Sequence, residues 1–206
     1  IAYEGSGKGP PERIVRAAFE WARVNGRRKV LMADKSNVMR YGHDLWQRVF
    51  FGLAKEFPSI AASHMFVDAL CMQMVRAPEQ FEVIVSNNMF GDILTDLGAA
   101  LQGGLGVAGS ANLHPGRTSM FEPVHGSAPD IAGRNIANPV AMIWSAAMML
   151  DFLGEGRGAA RDAHDVILCA IEQVLASGPR TPDMGGSAST AKLGQAIAEL
   201  VGSSGQ

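Results

Sequence analysis

The segment FEVIVS (81–86) is a short, mostly apolar run that passes without a break into NMFGDILTDLGAAL (88–101), where Ile93, Leu94, Leu97 and Leu101 recur at helical spacing. A buried strand that feeds straight into an amphipathic helix is half of a parallel α/β unit, because a parallel neighbour is reached through a crossover that is usually helical. The same pairing stands upstream. PERIVRAAFEWARVNG (11–26) sets Ile14, Ala18, Trp21 and Ala22 on one helical face, with proline near its start and Gly26 as its stop. It leads into KVLMA (29–33), a continuous apolar run suited to a buried strand. A further helix carries Leu45, Val49, Phe50, Leu53 and Phe57 and ends before Pro58, and 68–76 reads as a helix closed by Pro78.

The second half changes character. Residues 103–116 read as loop, and FEPVHGSAPDIAGRN (121–135) is so rich in Pro and Gly that a long ordered loop is expected. Three helices follow, over 138–153, 159–175 and 187–201. Strands alternating with helices, then a helical cap, predict an α/β layered fold. With 47% hydrophobic and 18% charged residues the balance is that of a globular protein. Lys plus Arg number 18 against 20 Asp plus Glu, a net charge of -2, which argues against a nucleic-acid footprint or a polybasic membrane patch. The most apolar stretch, 140–153, is interrupted by Ser145 and Asp151 and falls short of the roughly 20 residues a bilayer span needs, so a buried helix is expected. Residues 1–11 do not read as a secretory leader. Cys71 and Cys169, each in an apolar run, read as reduced core thiols of a cytoplasmic protein.

Asp92 and Asp96 lie four residues apart in GDILTD, which places both carboxylates on one helix face, one turn apart. Oxygen-only donors suit a hard ion such as Mg²⁺ or Mn²⁺; a solvated helix face is the alternative. Asp68, set among apolar neighbours in FVDALCMQMV, is a third carboxylate in need of a partner. Lys35 follows the strand KVLMA at once, and the carboxyl ends of parallel strands are where α/β sites are built. A lysine there can serve proton transfer, or can be an ordinary surface lysine. In FEPVHGSAPDIAG, glycine beside His125 allows backbone N–H groups close to a ligand, and Asp130 could accept from a ribose diol while repelling a 2′-phosphate. There is no G-x-G-x-x-G, so no Rossmann fingerprint, and composition alone also permits a plain structured loop.

DKSNV (34–38), FVDALCMQMV (66–75), NNMFGDILTDLGAAL (87–101), FEPVHGSAPDIAGRNIANP (121–139) and AAMMLDFLG (146–154) closely resemble the β-decarboxylating dehydrogenases, the family of the isopropylmalate, isocitrate, homoisocitrate and tartrate/D-malate enzymes. The resemblance covers nearly all of the chain from Pro11 onward and implies an isopropylmalate dehydrogenase-like layered fold without the family's N-terminal part. It implies that 1–102 is the remainder of the smaller, dimer-forming domain with the metal and catalytic residues, and 103–206 the C-terminal part of the larger, dinucleotide-binding domain. By resemblance, Lys35 takes part in proton transfer from the substrate hydroxyl and is contributed across the dimer, and Asn37 lies near the nicotinamide. Asp68, Asp92 and Asp96 match the metal carboxylates, with Asp68, also counted as catalytic, reaching into the partner's site. Glu122, His125, Gly126, Ser127, Ala128, Asp130, Ile131 and Asn138 match the dinucleotide loop, and Asp130-Ile131 is the pattern of the NAD users. Tyr3, in Tyr3-Glu4-Gly5, is the counterpart of the family's catalytic tyrosine, and the clasp-like segment after it is reduced to SGKGP (6–10), a linker-like composition.

The implied chemistry is NAD-dependent oxidation of a 2-hydroxy diacid followed by loss of CO₂, with Mg²⁺ or Mn²⁺ as Lewis acid and Tyr3 protonating the enolate. Val38 resembles the apolar contact that isopropylmalate enzymes place near the isopropyl group, so 3-isopropylmalate, a leucine-biosynthesis substrate, is the expected substrate. The tail from Ile143 to Met184, with TPDM (181–184), is more similar to the tartrate/D-malate group. A non-catalytic fragment that only dimerises or binds nucleotide is the reading from a different class. A homodimer with shared sites is expected, its helices contributing Leu70, Met72, Met74, Ile93 and Leu97 to an intersubunit bundle.

Overall fold

The computed structural model describes residues 9–114 and 118–203, and the chain divides into two compact units, Ile1–Gly98 and Ala99–Gln206. In the first, α1 (Gly9–Val24) leads to β1 (Lys29–Asp34), α2 (Arg40–Ala54), β2 (Ala61–Phe66), α3 (Val67–Arg76), β3 (Val83–Ser86) and the start of α4 (Asn88–Gln102). Gly26, at φ +64°, ends α1 in a left-handed turn: Arg27 N–H reaches Ala22 O (2.7 Å) and Gly26 N–H reaches Arg23 O (3.4 Å), satisfying two carbonyls that the helix leaves open. Of SGKGP, Gly9 and Pro10 are the first residues of α1; the rest lies outside the described residues.

The strands form a parallel sheet in the order β2-β1-β3, with Met32 opposite His64 on one side and Val85 on the other. Successive side chains of a strand point to opposite faces, so the sheet sorts its own core. Val30, Met32 and Val85 pack with Val15, Phe19, Ala22, Phe50 and Leu53 of α1 and α2. Leu31, Ala33 and Ile84 pack with Leu70 and Met74 of α3 and Leu94 and Leu97 of α4. Central β1 is therefore covered on both faces, which is why VLMA (30–33) is apolar throughout instead of alternating. Phe19 stacks on Phe57 at a centroid distance of 5.1 Å and lies 5.4 Å from Phe50, so one aromatic triad holds α1 to α2.

The sequence reading finds two of these three strands. It misses β2, whose AASHMF holds Ser63 and His64 and lies at the sheet edge, where part of each residue stays accessible and no apolar run is required. In the second unit the expected loop regions contain a two-stranded antiparallel ribbon, β4 (Gly109–Asn112) with β5 (Met120–Pro123). GSAN has no apolar period to announce a strand; the ribbon is set instead by packing on α5 (Val140–Leu153). Gly109 permits that approach, since a Cβ there would stand 3.3 Å from the backbone nitrogen and hydroxyl of Ser145.

The three expected helices are present as α5, α6 (Gly158–Ser177) and α7 (Thr190–Ser203). They enclose a core of Val107, Val140, Ala170, Ile171, Val174, Leu193 and Ile197. Burial of α5 holds on one face; Met142, Met149 and Leu153 on the other are exposed. Both cysteines are free, but only Cys71 is part of a core: Cys169 is exposed on α6 beside the Gln173 amide (3.2 Å), because the apolar residues of that helix cover only its inward stripe. Among the described residues no helix is long and apolar enough to cross a membrane.

Candidate active site

Because all three strands of the first unit run the same way, Asp34, Phe66 and Ser86 end at one edge of the sheet, and the segments that follow gather there. Lys35 leaves β1 at this edge, and its Nζ donates to Asp68 Oδ1, one residue into α3, at 2.6 Å. The ammonium also stands 5.7 Å from the Phe66 ring centroid. The hydrogen bond from Lys35 is the largest cause holding the Asp68 carboxyl below the usual aspartate range. Asp68 is thus not the unpaired apolar-run charge it looks to be in sequence; it is exposed at a helix start, a favourable place for an anion. Asn37 and Val38 follow in an exposed turn closed by Val38 N–H to Lys35 O (3.0 Å).

Behind Lys35 lies a polar network that the sequence reading missed. Asp34 is 2% exposed, and its Oδ1 lies 2.7 Å from His64 Nε2 and accepts the Ser36 N–H at 3.0 Å. Gln47 Nε2 donates to Asp34 Oδ2 (3.2 Å) and Ser36 Oγ (2.7 Å). His43, also buried, accepts the Lys35 N–H on Nδ1 (2.8 Å), while the Asn87 side-chain amide lies 3.2 Å from its Nε2. Burial works to raise the Asp34 carboxyl, but His64, the Ser36 N–H and Gln47 together hold it below its ordinary value of 3.8. A carboxyl depressed in the folded state adds stability that is present above the unfolded value and is lost as pH falls through the folded one. The stability gap between wild type and Asp34→Asn, read by urea midpoints, is therefore expected to shrink as pH is lowered below 3.8. A gap that widens in that window would contradict this account.

Asp92 and Asp96 are both exposed on α4, one turn apart, and Asn88 donates to Asp92 at 3.3 Å. Two exposed carboxylates one turn apart fit part of a hard-cation site. They do not meet Asp68, and among the described residues of one chain no three metal-ligating side chains converge. Leu70, Met74 and Leu97, expected on a dimer face, instead cover the sheet from inside the unit, while Met72 and Ile93 are exposed. Tyr3 lies outside the described residues.

In the second unit Glu122 sits on β5 opposite Ser110, with the Asn112 amide 3.4 Å from its Oε1. His125 Nδ1 lies 2.8 Å from Gly126 O, and Gly126, Ser127 and Asp130 are exposed. Ala128 adopts the left-handed conformation (φ 44°, ψ 64°) before the 3₁₀ turn Pro129–Ile131, a strain of about 1–3 kcal/mol that non-glycine residues bear mostly at functional sites. Asn138 closes the loop: Oδ1 accepts Val140 N–H (3.0 Å) and Nδ2 donates to Asp183 Oδ2 (2.9 Å). Asp183 belongs to TPDM, so that segment buttresses the loop. An exposed carboxylate beside two accessible loop residues suits a ribose diol, the group expected of NAD.

The arrangement has close relatives. The isocitrate/isopropylmalate dehydrogenase family model matches residues 7–197. Decarboxylating D-malate dehydrogenase of Escherichia coli is 50% identical over 192 residues, covering 92% of this chain and 53% of that protein. Tartrate dehydrogenase/decarboxylase of Pseudomonas putida is 49% identical over 193 residues, with the same 92% and 53% coverage. The crystal structure of isocitrate dehydrogenase from Methylococcus capsulatus superposes with a TM-score of 0.86 at 42% identity, over 97% of this chain and 58% of that one. The chain thus spans about half the length of the relatives it matches. With the family model running through the Lys35–Asp68 edge, the α4 carboxylates and the 121–139 loop alike, this chain belongs to the isocitrate/isopropylmalate dehydrogenase family.

Proposed function

We propose that this chain serves the NAD-dependent oxidative decarboxylation of a 2-hydroxy diacid, with 1–102 belonging to a smaller, dimer-forming domain and 103–206 to a larger, dinucleotide-binding one. The observation that carries the reading is the Lys35–Asp68 pair at the carboxyl edge of the parallel sheet, a cation and a carboxylate presented together where α/β sites are built. Lys35 Nζ removes the proton of the substrate hydroxyl as the carbonyl forms, and Asp68 keeps that nitrogen in place until a ligand takes over the carboxylate. Asp92 and Asp96 of one chain, with Asp68 of a second, would hold the divalent ion; when bound it supplies Lewis-acid polarisation of the hydroxyl oxygen. The 121–139 loop would hold NAD⁺, the hydride acceptor, with Asp130 toward its ribose and Asn138 fixing the loop end. Tyr3 would return a proton to the enolate after CO₂ leaves.

D-malate and tartrate are favoured as substrates by the two relatives near 50% identity named for them. The exposed Val38 directly after the Lys35 turn supports the second reading, 3-isopropylmalate, since an apolar side chain there suits a branched alkyl group. A homodimer is supported by exposed Met72 and Val75 on α3 and Met89 and Ile93 on α4, apolar surface that isologous pairing would cover. The test is NADH production by the full-length protein with D-malate, tartrate, 3-isopropylmalate and isocitrate, using NAD and NADP in turn. Turnover with D-malate or tartrate and NAD is expected, and replacing Asp130 with Lys and Ile131 with Tyr should move preference toward NADP. No turnover of any of the four leaves the non-catalytic reading in place; nucleotide preference unmoved by the double substitution removes the role given to Asp130.

A further inference from the structure

We infer that His43 is a positioning residue for Lys35; this rests on the proton-transfer reading above. The turn after β1 has to present a flexible lysine from a fixed main-chain position, and the Lys35 N–H lies beyond the last rung of the sheet, so no strand satisfies it. His43 supplies the missing acceptor through Nδ1 at 2.8 Å. The ring is 4% exposed and lies edge-on to Phe90 of α4 at 5.5 Å. One imidazole on α2 thus holds the end of β1, and Lys35 is fixed from behind while its Nζ reaches Asp68 in front.

The geometry dictates a tautomer. Nδ1 can accept from Lys35 only with its lone pair free, so the proton of the neutral ring is on Nε2. The same geometry makes the role one of acceptor placement: an asparagine carbonyl can occupy much the same point as Nδ1, whereas leucine fills the volume and leaves the part-buried N–H without its acceptor.

The decisive experiment compares His43→Leu and His43→Asn in the full-length protein, with substrate and NAD saturation curves and a thermal melt for each. Misplacement of a reacting group by about an ångström costs on the order of 100-fold in rate, so His43→Leu should lower kcat by about that factor. The KM for NAD should stay within about threefold, because the lost interaction concerns the chemical step and not nucleotide binding. His43→Asn should restore most of kcat. Equal loss in both folded variants, or full kcat in His43→Leu, overturns the proposal. If neither variant folds, imidazole ¹⁵N spectra of the wild-type protein decide, with His43 assigned through its contact to Phe90: a proton on Nε2 with Nδ1 hydrogen-bonded is expected, and a proton on Nδ1 overturns it. Undiminished turnover by Lys35→Met would instead defeat the proton-transfer reading, while the tautomer would still report whether His43 holds the Lys35 main chain.

Discussion

Replacing Lys35 with Met in the full-length protein is expected to lower kcat by about 10²–10⁴-fold, the range over which a positioned proton-transfer group acts. Methionine keeps most of the apolar stem and removes the nitrogen that stands over Phe66 and reaches Asp68. The pair is an exposed one, Asp68 with 67% of its side chain accessible, so its loss should barely move the melting temperature. Activity and stability therefore separate, and that separation is the diagnostic: a lysine that merely braced the turn would change the melt and spare the rate. Retention of more than about a tenth of the wild-type kcat would remove Lys35 from the chemistry.

The second large effect concerns metal. Asp92 and Asp96 stand one turn apart and exposed on α4, and a divalent ion shared with Asp68 of a second copy would relieve the repulsion among the three. Adding Mn²⁺ or Mg²⁺ to the full-length protein at a hundredfold excess over the dissociation constant should then stabilise the folded state by about 2.7 kcal/mol. Asp92→Asn should abolish that gain without harming the fold, since its side chain takes no part in the buried core. Asp68→Asn should do so as well if the dimer forms, although among the described residues Asp68 makes no metal cluster within its own chain. The two substitutions together test whether one ion is held by two chains. A melting curve unmoved by millimolar Mn²⁺ would show that no such site assembles, and the role given to these carboxylates would go with it.

Periodicity carried the helices and the strands β1 and β3 because each signal is local: a helix shows its face every three or four residues, and a short strand packed on both faces is mostly apolar. The strands it missed, β2 and the β4–β5 ribbon, take their pairing from neighbours elsewhere in the chain, and none of them is a continuous apolar run. Asp92 and Asp96 were legible together because helical spacing alone puts them on one face. The Asp34 network was not. Its members look in sequence like scattered polar residues, and His64 even hides the strand on which it sits.

By itself, then, the sequence determined the α/β class, the helices and the family, and it offered the residues here proposed for a metal, a nucleotide loop and a proton-transfer lysine. Only the tertiary structure decided which of those residues meet. The parallel register of β1 with β2 brings His64 to Asp34 across 30 positions of sequence, and places Asp68 beside Lys35 across 33. The fold of α2 against the β3–α4 junction brings Asn87 to His43 across 44. It also withheld one meeting, since Asp92 and Asp96 remain apart from Asp68 within a chain. The physical reason is the same in each case. Side-chain hydrogen bonds and ion pairs reach about 3 Å, so they depend on register and packing angle, and those are set by the whole core instead of by the polar residues themselves.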